Sequence, residues 1–278
     1  MLDQSFPEHW IGHRWLWNRW MLWWTQTVRA GVGVIHLHIQ RIGYRTIVLM
    51  CPTLSTRSVR TFVLRQGRLT EGQQRSIDLH WPTYGLEVGG GKKLDIDDCF
   101  ERTAPLWLEI GFGNGEALVH MASARPDINF LGIEVHLPGV GHALGELAAH
   151  NLQNVRIIRH DALEVLEHSL ADACVSRMMI FFPDPWHKKR HHKRRLVNPE
   201  FLQLAQSVLT ADATIHFATD WIDYADHIVA AMDAQVEYKR VTDEENLNEI
   251  TSIRPTTRFE TRGRRLGHEV RDLVYERQ

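Results

Sequence analysis

Short apolar runs alternate with amphipathic helical patterns from residue 106 onward. The apolar runs, which are typical of buried strands, cover residues 106–110, 129–135, 155–160, 177–182 and 213–219. Patterns with helical spacing cover residues 116–126, 139–151, 162–170, 199–209 and 221–233. This alternation predicts an α/β fold with a doubly wound, Rossmann-like, mostly parallel sheet and helices on both faces. A last strand candidate, 270–276, is expected to add as an antiparallel edge strand near the C terminus.

The region just before this alternation has weaker patterns. Thr70 is a candidate N-cap and predicts a helix that runs towards Leu79 and ends at Trp81-Pro82, because proline lacks the N–H that continues a helix. Residues 89–98, "GGGKKLDIDD", are predicted to form a loop from their glycine content.

The first 55 residues have a different composition from the rest. Six of the ten tryptophans lie between Trp10 and Trp24, and no acidic residue occurs between Glu8 and Glu71. The apolar stretches are too short or too interrupted by arginine to span a membrane. A signal-peptide core and an interfacial helix are alternatives, but neither has its full pattern. We therefore expect two parts: residues 1–55 as an extension that is disordered or non-native, and residues 56–278 as the functional domain.

Composition limits the class of protein. The chain has 278 residues and a formal net charge of -2, which suits a soluble globular protein. Its three cysteines, Cys51, Cys99 and Cys174, are far apart, so neither a disulfide framework nor a structural zinc site is indicated. Despite 17 histidines, no zinc-ligand spacing occurs, and we predict no metal. These features favour a cytoplasmic protein without a membrane anchor.

A glycine-rich turn follows the first predicted strand of the domain. In "LWLEIGFGNGEALVHMA", Glu109 precedes Gly111, Gly113 and Gly115, and a helical pattern follows. Glycines at such a turn permit positive φ and let a ligand approach the backbone next to the free N–H groups of a helix. The strand–turn–helix context makes a nucleotide-type cofactor site the better interpretation, although a tight turn alone would use the same glycines.

Acidic residues also follow the next two predicted strands. Glu134 is placed to accept hydrogen bonds from two ribose hydroxyls, and Asp161 could accept one from an adenine amine. The glycine spacing is tighter than the dinucleotide fingerprint, and Glu109 would repel a pyrophosphate. The combination favours S-adenosylmethionine, which carries an amino-acid moiety and a sulfonium cation.

A segment with one acidic residue and many basic residues follows the fourth predicted strand. In "FFPDPWHKKRHHKRRLV", Asp184 lies between two prolines, and six of the nine residues from His187 to Arg195 are Lys or Arg. We call residues 182–187 the Asp184 loop and residues 188–195 the basic strip. Ligands of open α/β sheets bind at the carboxyl ends of the strands, so Asp184 is predicted to face the substrate. The basic strip suits phosphate contacts, and nucleic acid is the natural substrate.

Two later segments add candidate substrate contacts. Asp220 ends the next predicted strand in "FATDW". Residues 254–268, "RPTTRFETRGRRLGH", are predicted to form a second basic and polar loop. Thr257, Arg258 and Glu260 could bind a base edge there, and an ordinary surface loop is an equally weighted alternative.

The motifs quoted above occur in the order and spacing of a known family. "LEIGFGNGEALVHMA", "FLGIEVHLPGVG", "HDA", "FFPDPWHKKRHHKRRLV", "FATDW" and "RPTTRFETRGRRLGH" resemble the bacterial tRNA (guanine-N7-)-methyltransferase family, of the class I S-adenosylmethionine-dependent methyltransferases. The resemblance runs from about Arg57 to the C terminus. It implies methyl transfer from S-adenosylmethionine to N7 of a guanine in the tRNA variable loop, at tRNA position 46. The sequence leaves both a monomer and a homodimer open.

The resemblance also implies roles for individual residues. The implied cofactor contacts are Glu109, Gly111, Gly113, Gly115, Glu134, Asp161 and Asp184, and Asp184 is also the catalytic position. The implied substrate contacts are Lys188, Asp220, Thr257, Arg258, Phe259 and Glu260. The implied RNA contacts are Arg190, His191, His192, Lys193, Arg194 and Arg195. Residues 1–55 match nothing in the family pattern.

Two other functions remain as alternatives. "PDPW" is superficially similar to the Asn/Asp-Pro-Pro-aromatic motif of adenine amino-methyltransferases, although here an Asp separates the prolines. The second alternative is an RNA-binding protein that retains the fold but has no methyltransferase activity. Since guanine N7 carries a lone pair and no proton, we hypothesise that Asp184 holds the guanine through its N1–H and N2 amine and not as an obligatory base.

Overall fold

The structure is a computed structural model of two units, residues 1–59 and residues 60–278. It describes residues 22–30, 33–42, 45–51, 61–62 and 68–278, without the side chains of the residues before 61 and of Phe259.

The first unit contains an antiparallel three-stranded sheet. Its strands are β1 (Leu22–Ala30), β2 (Gly33–Ile42) and β3 (Arg45–Cys51), with β2 in the middle. The sequence patterns predicted no strands here. The rest of residues 1–55 lies outside the described residues, and the prediction of a disordered or non-native extension stays a prediction.

The second unit is built on a seven-stranded sheet. Its strands are β4 (Leu106–Ile110), β5 (Asn129–Ile133), β6 (Val155–Ile158), β7 (Val175–Phe181), β8 (Leu209–Thr219), β9 (Tyr238–Arg240) and β10 (Arg271–Arg277). The spatial order is β6-β5-β4-β7-β8-β10-β9. The first five strands in this order are parallel, and β10 is antiparallel to both β8 and β9. The predicted mostly parallel fold is confirmed, and the short β9 lies outside β10 at the sheet edge.

Nine α-helices and one 3₁₀ helix are assigned in residues 68–278. The α-helices are α1 (Glu71–Tyr84), α2 (Ile96–Phe100), α3 (Glu116–Ala124), α4 (Leu137–Ala149), α5 (Ala162–His168), α6 (Pro199–Val208), α7 (Ile222–Asp233), α8 (Glu244–Ser252) and α9 (Arg258–Arg265). The 3₁₀ helix spans Lys189–Arg194.

Both faces of the sheet are covered. All five residues of β4 are buried, as expected for a central parallel strand. On one face Leu108 packs with apolar residues of α5, α6 and α7. On the other face Trp107 packs with apolar residues of α1, α3 and α4. Because side chains alternate along a strand, Glu109 points to the same face as Trp107.

The first helix begins as predicted but ends later. Thr70 accepts a hydrogen bond from the Gln73 backbone N–H at 3.2 Å, and the Gln73 side chain accepts one from the Thr70 N–H at 2.9 Å. This capping box fixes the start of α1. The predicted stop at Trp81-Pro82 is wrong, because α1 continues through Pro82 to the buried Tyr84. Pro82 lies in the last turn, where it removes only one helical hydrogen bond.

The segments predicted as loops contain two helices. Within residues 89–98, α2 begins at Ile96 behind the N-cap Asp95, which accepts from the Asp98 N–H at 3.3 Å. The prediction of a loop over residues 254–268 is also wrong in part, because α9 occupies Arg258–Arg265. The sequence patterns also missed α8 and β9.

A buried ion-pair network joins α9 to the sheet. Arg254 donates two hydrogen bonds to the Asp272 carboxylate on β10, both at 2.9 Å, and a third to Glu260 on α9. Asp272 also lies 2.7 Å from His216 of β8. Only 7% of the Arg254 side chain and 1% of the Glu260 side chain are exposed. The network therefore determines where α9 lies above the sheet.

Within the part of the chain that the structure describes, no helix is long and apolar enough to cross a membrane.

We expect Arg254→Ala to lower the free energy of unfolding by about 3 kcal/mol, because the buried Glu260 and the partly buried Asp272 both lose a charged partner and keep only Arg264 and His216, respectively. Urea unfolding followed by circular dichroism measures the change. Lys93→Ala is the matched control, because the Lys93–Asp172 pair is exposed and its loss should cost less than about 1 kcal/mol. Equal effects of the two substitutions would contradict the assigned role of the network.

Candidate functional site at the carboxyl edge of the sheet

The site lies where the strand order reverses. The chain passes from β4 outward to β5 and β6 on one side, and β7 and β8 lie on the other side. In open α/β sheets such a reversal opens a crevice at the carboxyl ends of the strands. The end of β4 carries Glu109, and the segments that follow β5, β6, β7 and β8 carry Glu134, Asp161, Asp184 and Asp220, which are the acidic residues that the sequence predicted for the site. The topology therefore brings them to one edge.

The three glycines after β4 have two different roles. Gly111, Gly113 and Gly115 all have left-handed φ values, of 75°, 58° and 80°. A Cβ atom at Gly111 or Gly113 would meet nothing within 4 Å, so these two positions border open space. A Cβ atom at Gly115 would lie 2.6 Å from Cβ of Ala143 on α4. The first two glycines thus leave room for a ligand, whereas Gly115 permits close packing of α3 on α4.

Glu134 holds the glycine turn in place. Its Oε2 accepts a hydrogen bond from the Gly113 N–H at 2.8 Å. Its Oε1 accepts from the N–H groups of Val135 and His136 at 2.7 and 2.8 Å. The sequence did not predict this backbone role. A carboxylate has about four lone-pair sites, so three backbone bonds are compatible with a further ribose hydroxyl, and that contact stays a prediction.

Glu109 is a buried acid beside this turn. Glu109 is only 2% exposed, and its Oε2 atom has no hydrogen-bond partner within the described residues. Burial, with a smaller contribution from the charge of Glu134, raises the pKa of Glu109 to about 8. A buried carboxyl without a partner is costly. A cationic ligand over Gly111 and Gly113 would pair with it, so these residues fit the sulfonium and ammonium groups of S-adenosylmethionine.

Asp161 completes the set on this side of the crevice. It is the N-cap of α5 and accepts a hydrogen bond from the Leu163 N–H at 3.0 Å. This cap explains its orientation. Its predicted contact with an adenine amine stays a prediction.

The Asp184 loop leaves β7 in a constrained conformation. Phe182 and Trp186 have φ values of 51° and 49°, which are uncommon for residues with side chains. The Phe182 N–H donates to the Ala218 carbonyl at 2.7 Å, and the Trp186 Nε1–H donates to the Thr61 carbonyl at 3.2 Å. Asp184 itself is exposed at the crevice edge. The loop is therefore anchored at both ends around an accessible carboxylate.

The basic strip divides into exposed and buried cations. Lys188, Lys189, Arg190 and Lys193 are exposed. Arg194 is half-buried, with its guanidinium carbon 4.7 Å from the centre of the Trp186 ring. The predicted RNA contacts His191 and His192 are also half-buried.

Arg195 differs from every other residue of the strip. Its side chain is 2% exposed, and it donates to Asp223 of α7 and to the Pro185 carbonyl.

The remaining predicted substrate residues lie on β8 and α9. Asp220 follows β8, and its Oδ2 is 3.3 Å from His268 Nδ1. A Cβ atom at Gly263 would lie 2.6 Å from Asp220 Oδ2, so α9 packs closely on this carboxylate. Thr257 is the N-cap of α9 and is buried, and the Glu260 carboxylate pairs with Arg254 and Arg264.

A contact joins α9 to the glycine turn. The Arg258 backbone N–H donates to Glu116 Oε2 at 3.1 Å, and Glu116 is the first residue of α3. Phe259 lies between Arg258 and Glu260, on the same turn of α9. The structure thus brings residues 257–260 to the same edge as the acidic residues.

Sequence reasoning assigned no role to Glu116, Arg254 or Asp223. Arg254 is the first residue of the motif "RPTTRFETRGRRLGH", and this position in a motif is a sequence signal that could have identified Arg254. Asp223 has no such signal, because an acid in the first turn of a helix is explained by the helix dipole alone.

Within the described residues, no group of three or more His, Cys, Asp or Glu side chains could hold a metal ion.

Comparison with known proteins gives similarities over most of the chain. A family model described as "Putative methyltransferase" matches residues 103–273. A tRNA (guanine-N(7)-)-methyltransferase of Pseudomonas aeruginosa (strain UCBPP-PA14) is 51% identical over 221 residues, which cover 80% of this chain and 90% of that protein. The protein of the same name from Shewanella oneidensis is 49% identical over 221 residues, covering 80% and 92%. The crystal structure of the 16S rRNA methyltransferase KamB has a TM-score of 0.47 and 17% identity, covering 67% of this chain and 95% of that one, a likeness too weak to bear on function.

We expect Glu109→Gln to stabilise the cofactor-free protein at alkaline pH. Burial raises the folded-state pKa of Glu109 from the ordinary value of 4.5 to about 8. Between these pH values the unfolded chain releases this proton and the folded protein keeps it, so stability falls progressively as the pH rises through this range. The substitution removes this decline. It should raise the free energy of unfolding by about 2 kcal/mol or more above pH 8 and change it little near about pH 5.

Urea unfolding across this pH range measures the effect, with the exposed Glu245→Gln as the control that keeps the wild-type profile. Parallel profiles for wild type and Glu109→Gln would contradict a buried, unpaired Glu109.

Proposed function

The chain belongs to the tRNA (guanine-N(7)-)-methyltransferase family, and we propose that it transfers a methyl group from S-adenosylmethionine to N7 of a guanine in tRNA. Family membership agrees with the resemblance that the sequence motifs carry. The target is the guanine at position 46 of the variable loop. The domain that performs this reaction is residues 56–278, and it acts in the cytoplasm, where tRNA is found.

One observation supports this function above the others. The exposed carboxylate of Asp184 follows β7, which is the neighbour of β4 with its buried Glu109 and glycine turn, and a strip of exposed cations follows Asp184 directly in the chain. A methyltransferase acting on RNA requires these three parts together: a site for a cationic methyl donor, a group that orients a base, and a surface for phosphates.

The cofactor half of the reaction uses the residues after β4, β5 and β6. Bound S-adenosylmethionine supplies an electrophilic methyl group on a sulfonium cation. Glu109 and Asp184 provide negative charge towards that cation, and Glu134 and Asp161 accept from the ribose and adenine. Gly111 and Gly113 leave the space for the ligand, and Gly115 keeps the turn against α4.

The base half of the reaction requires orientation and no proton transfer at N7. Guanine N7 has an in-plane lone pair, so attack on the methyl group depends on alignment. Asp184 accepts hydrogen bonds from N1–H and the N2 amine of the guanine and thereby presents N7. Lys188, Asp220, Arg258 and Phe259 hold the nucleotide at this edge, whereas the buried Thr257 and Glu260 hold α9 in place through the N-cap and the ion pairs with Arg254 and Arg264.

The tRNA backbone binds to the basic strip. Exposed cations gain affinity by releasing counterions from phosphates, and this contribution is independent of base sequence. The strip follows the Asp184 loop directly, so phosphates bound there bring the target nucleotide to the carboxylate.

We expect the purified protein to transfer labelled methyl groups to unmodified tRNA and to produce 7-methylguanosine on nucleoside digestion. A transcript without the guanine at position 46 should accept few or none. A methylated adenine in the digest would instead favour the adenine amino-methyltransferase alternative, and cofactor binding without any transfer would favour a non-catalytic RNA-binding protein.

Asp184→Asn should lower kcat at saturating tRNA by about 10- to 100-fold, because the amide replaces an ionised acceptor of two hydrogen bonds. The matched control is Asp172→Asn, an exposed aspartate before the amino end of β7 whose side chain is 78% exposed. It should leave the rate unchanged. Near-full turnover by Asp184→Asn would contradict the orienting role.

A further inference from the structure

We propose that Arg195 is a positioning residue that fixes the Asp184 loop against α7, and that it does not contact tRNA phosphate. The inference rests on the proposed function and changes the role that the family resemblance implies for the last residue of the basic strip. It concerns how the exposed carboxylate of Asp184 obtains a defined position.

The Arg195 guanidinium is occupied inside the protein. Nε donates to the Pro185 carbonyl at 3.0 Å, and a terminal nitrogen donates to the Asp223 carboxylate. The same nitrogen is 3.2 Å from Nε2 of His192, and the guanidinium carbon lies 5.0 Å from the centre of the Tyr224 ring. The planar fork thus contacts two protein acceptors and stacks on an aromatic face, which is the arrangement in which arginine is most specific.

Burial separates Arg195 from the other cations of the strip. Its side chain is 2% exposed, whereas Lys189, Arg190 and Lys193 are exposed. To reach a phosphate, Arg195 would have to break its bonds to Pro185 and Asp223. The loss of these partly buried hydrogen bonds would offset the gain from a phosphate contact.

The bond to Pro185 acts on the conformation of the Asp184 loop. Proline fixes φ at residues 183 and 185 but leaves ψ free. The Pro185 carbonyl belongs to the peptide group that joins it to Trp186, which has the uncommon φ of 49°. Such conformations persist when surrounding contacts determine them. Arg195 supplies one of these contacts one residue after Asp184.

The bond to Asp223 ties the loop to the next strand end. Asp223 lies in the first turn of α7, three residues after Asp220. Arg195 therefore connects the segment after β7, which carries Asp184, with the segment after β8, which carries Asp220. The separation of these two carboxylates depends on this bridge.

Arg195→Lys tests the inference because it keeps the charge and removes the fork. A lysine ammonium cannot reproduce the planar geometry to both Pro185 and Asp223. We expect kcat at saturating tRNA to fall by about 10-fold or more. The dissociation constant for tRNA, and the slope of its logarithm against the logarithm of salt concentration, should stay at wild-type values.

Asp223→Asn removes the carboxylate that pairs with Arg195 and thereby distinguishes a positioning role of Arg195 from phosphate binding. Asp223 is 63% exposed, so this variant is expected to fold even if Arg195→Lys does not, and thermal unfolding checks both. If Arg195 positions the loop, Asp223→Asn lowers kcat and the double variant is no slower than Arg195→Lys alone. If Arg195 binds phosphate, freeing it from Asp223 tightens tRNA binding and leaves kcat intact.

Two further variants calibrate these measurements. Asp226→Asn lies on the same helix, in an exposed pair with Arg271, and should behave as wild type. Lys193→Ala should weaken tRNA binding and lower the salt slope by about 0.7–0.9, as expected for one phosphate contact.

The results distinguish this inference from the proposed function. Wild-type turnover by Arg195→Lys, or tighter tRNA binding with unchanged kcat by Asp223→Asn, would overturn the positioning role alone. Failure of the wild-type protein to methylate guanine would overturn the proposed function.

Discussion

Parallel strands place all their carboxyl ends at one edge of a sheet, and this constraint determines the whole site. The reversal of strand order at β4 and β7 puts the glycine turn, Glu134 and Asp161 on one side of a crevice and the Asp184 loop and Asp220 on the other. Residues more than 100 positions apart in the chain lie at the same edge because each follows or ends a parallel strand of this sheet. Packing on both faces of the sheet then keeps that edge rigid.

A single edge with so many acids needs compensation, and the protein supplies it in two ways. Backbone N–H groups satisfy Glu134, and buried arginines neutralise others: Arg254 pairs with Asp272 and Glu260, and Arg195 pairs with Asp223. Glu109 receives neither within the described residues, and it lies two residues before Gly111, where an added Cβ atom would meet nothing within 4 Å. The buried acid without compensation is thus the one that lies beside the glycine turn.

The fold was predictable where the apolar periodicity is strong. For the site, the sequence predicted which residues belong to it but not their contacts or burial. The strands β4 to β8 and their helices follow from apolar spacing, since each is buried on the sheet. By contrast α9 has almost no apolar residues, so its helical character depends on the Thr257 cap and on the Glu260 ion pairs, which pattern reading does not detect. Arg195 is indistinguishable from its neighbours in a run of cations. Its burial depends on Asp223, 28 residues later in the chain.

The close approach of Gly263 to Asp220 has a consequence for the order of events during folding. A glycine within a helix of eight residues lowers its intrinsic stability by about 1 kcal/mol relative to alanine, and so short a helix is marginal on its own in water. The segment gains its helical form from docking, so β8 and β10 must already be paired when it forms. Amide hydrogens of α9 are consequently expected to exchange with solvent through local opening, well before those of β4 and β5.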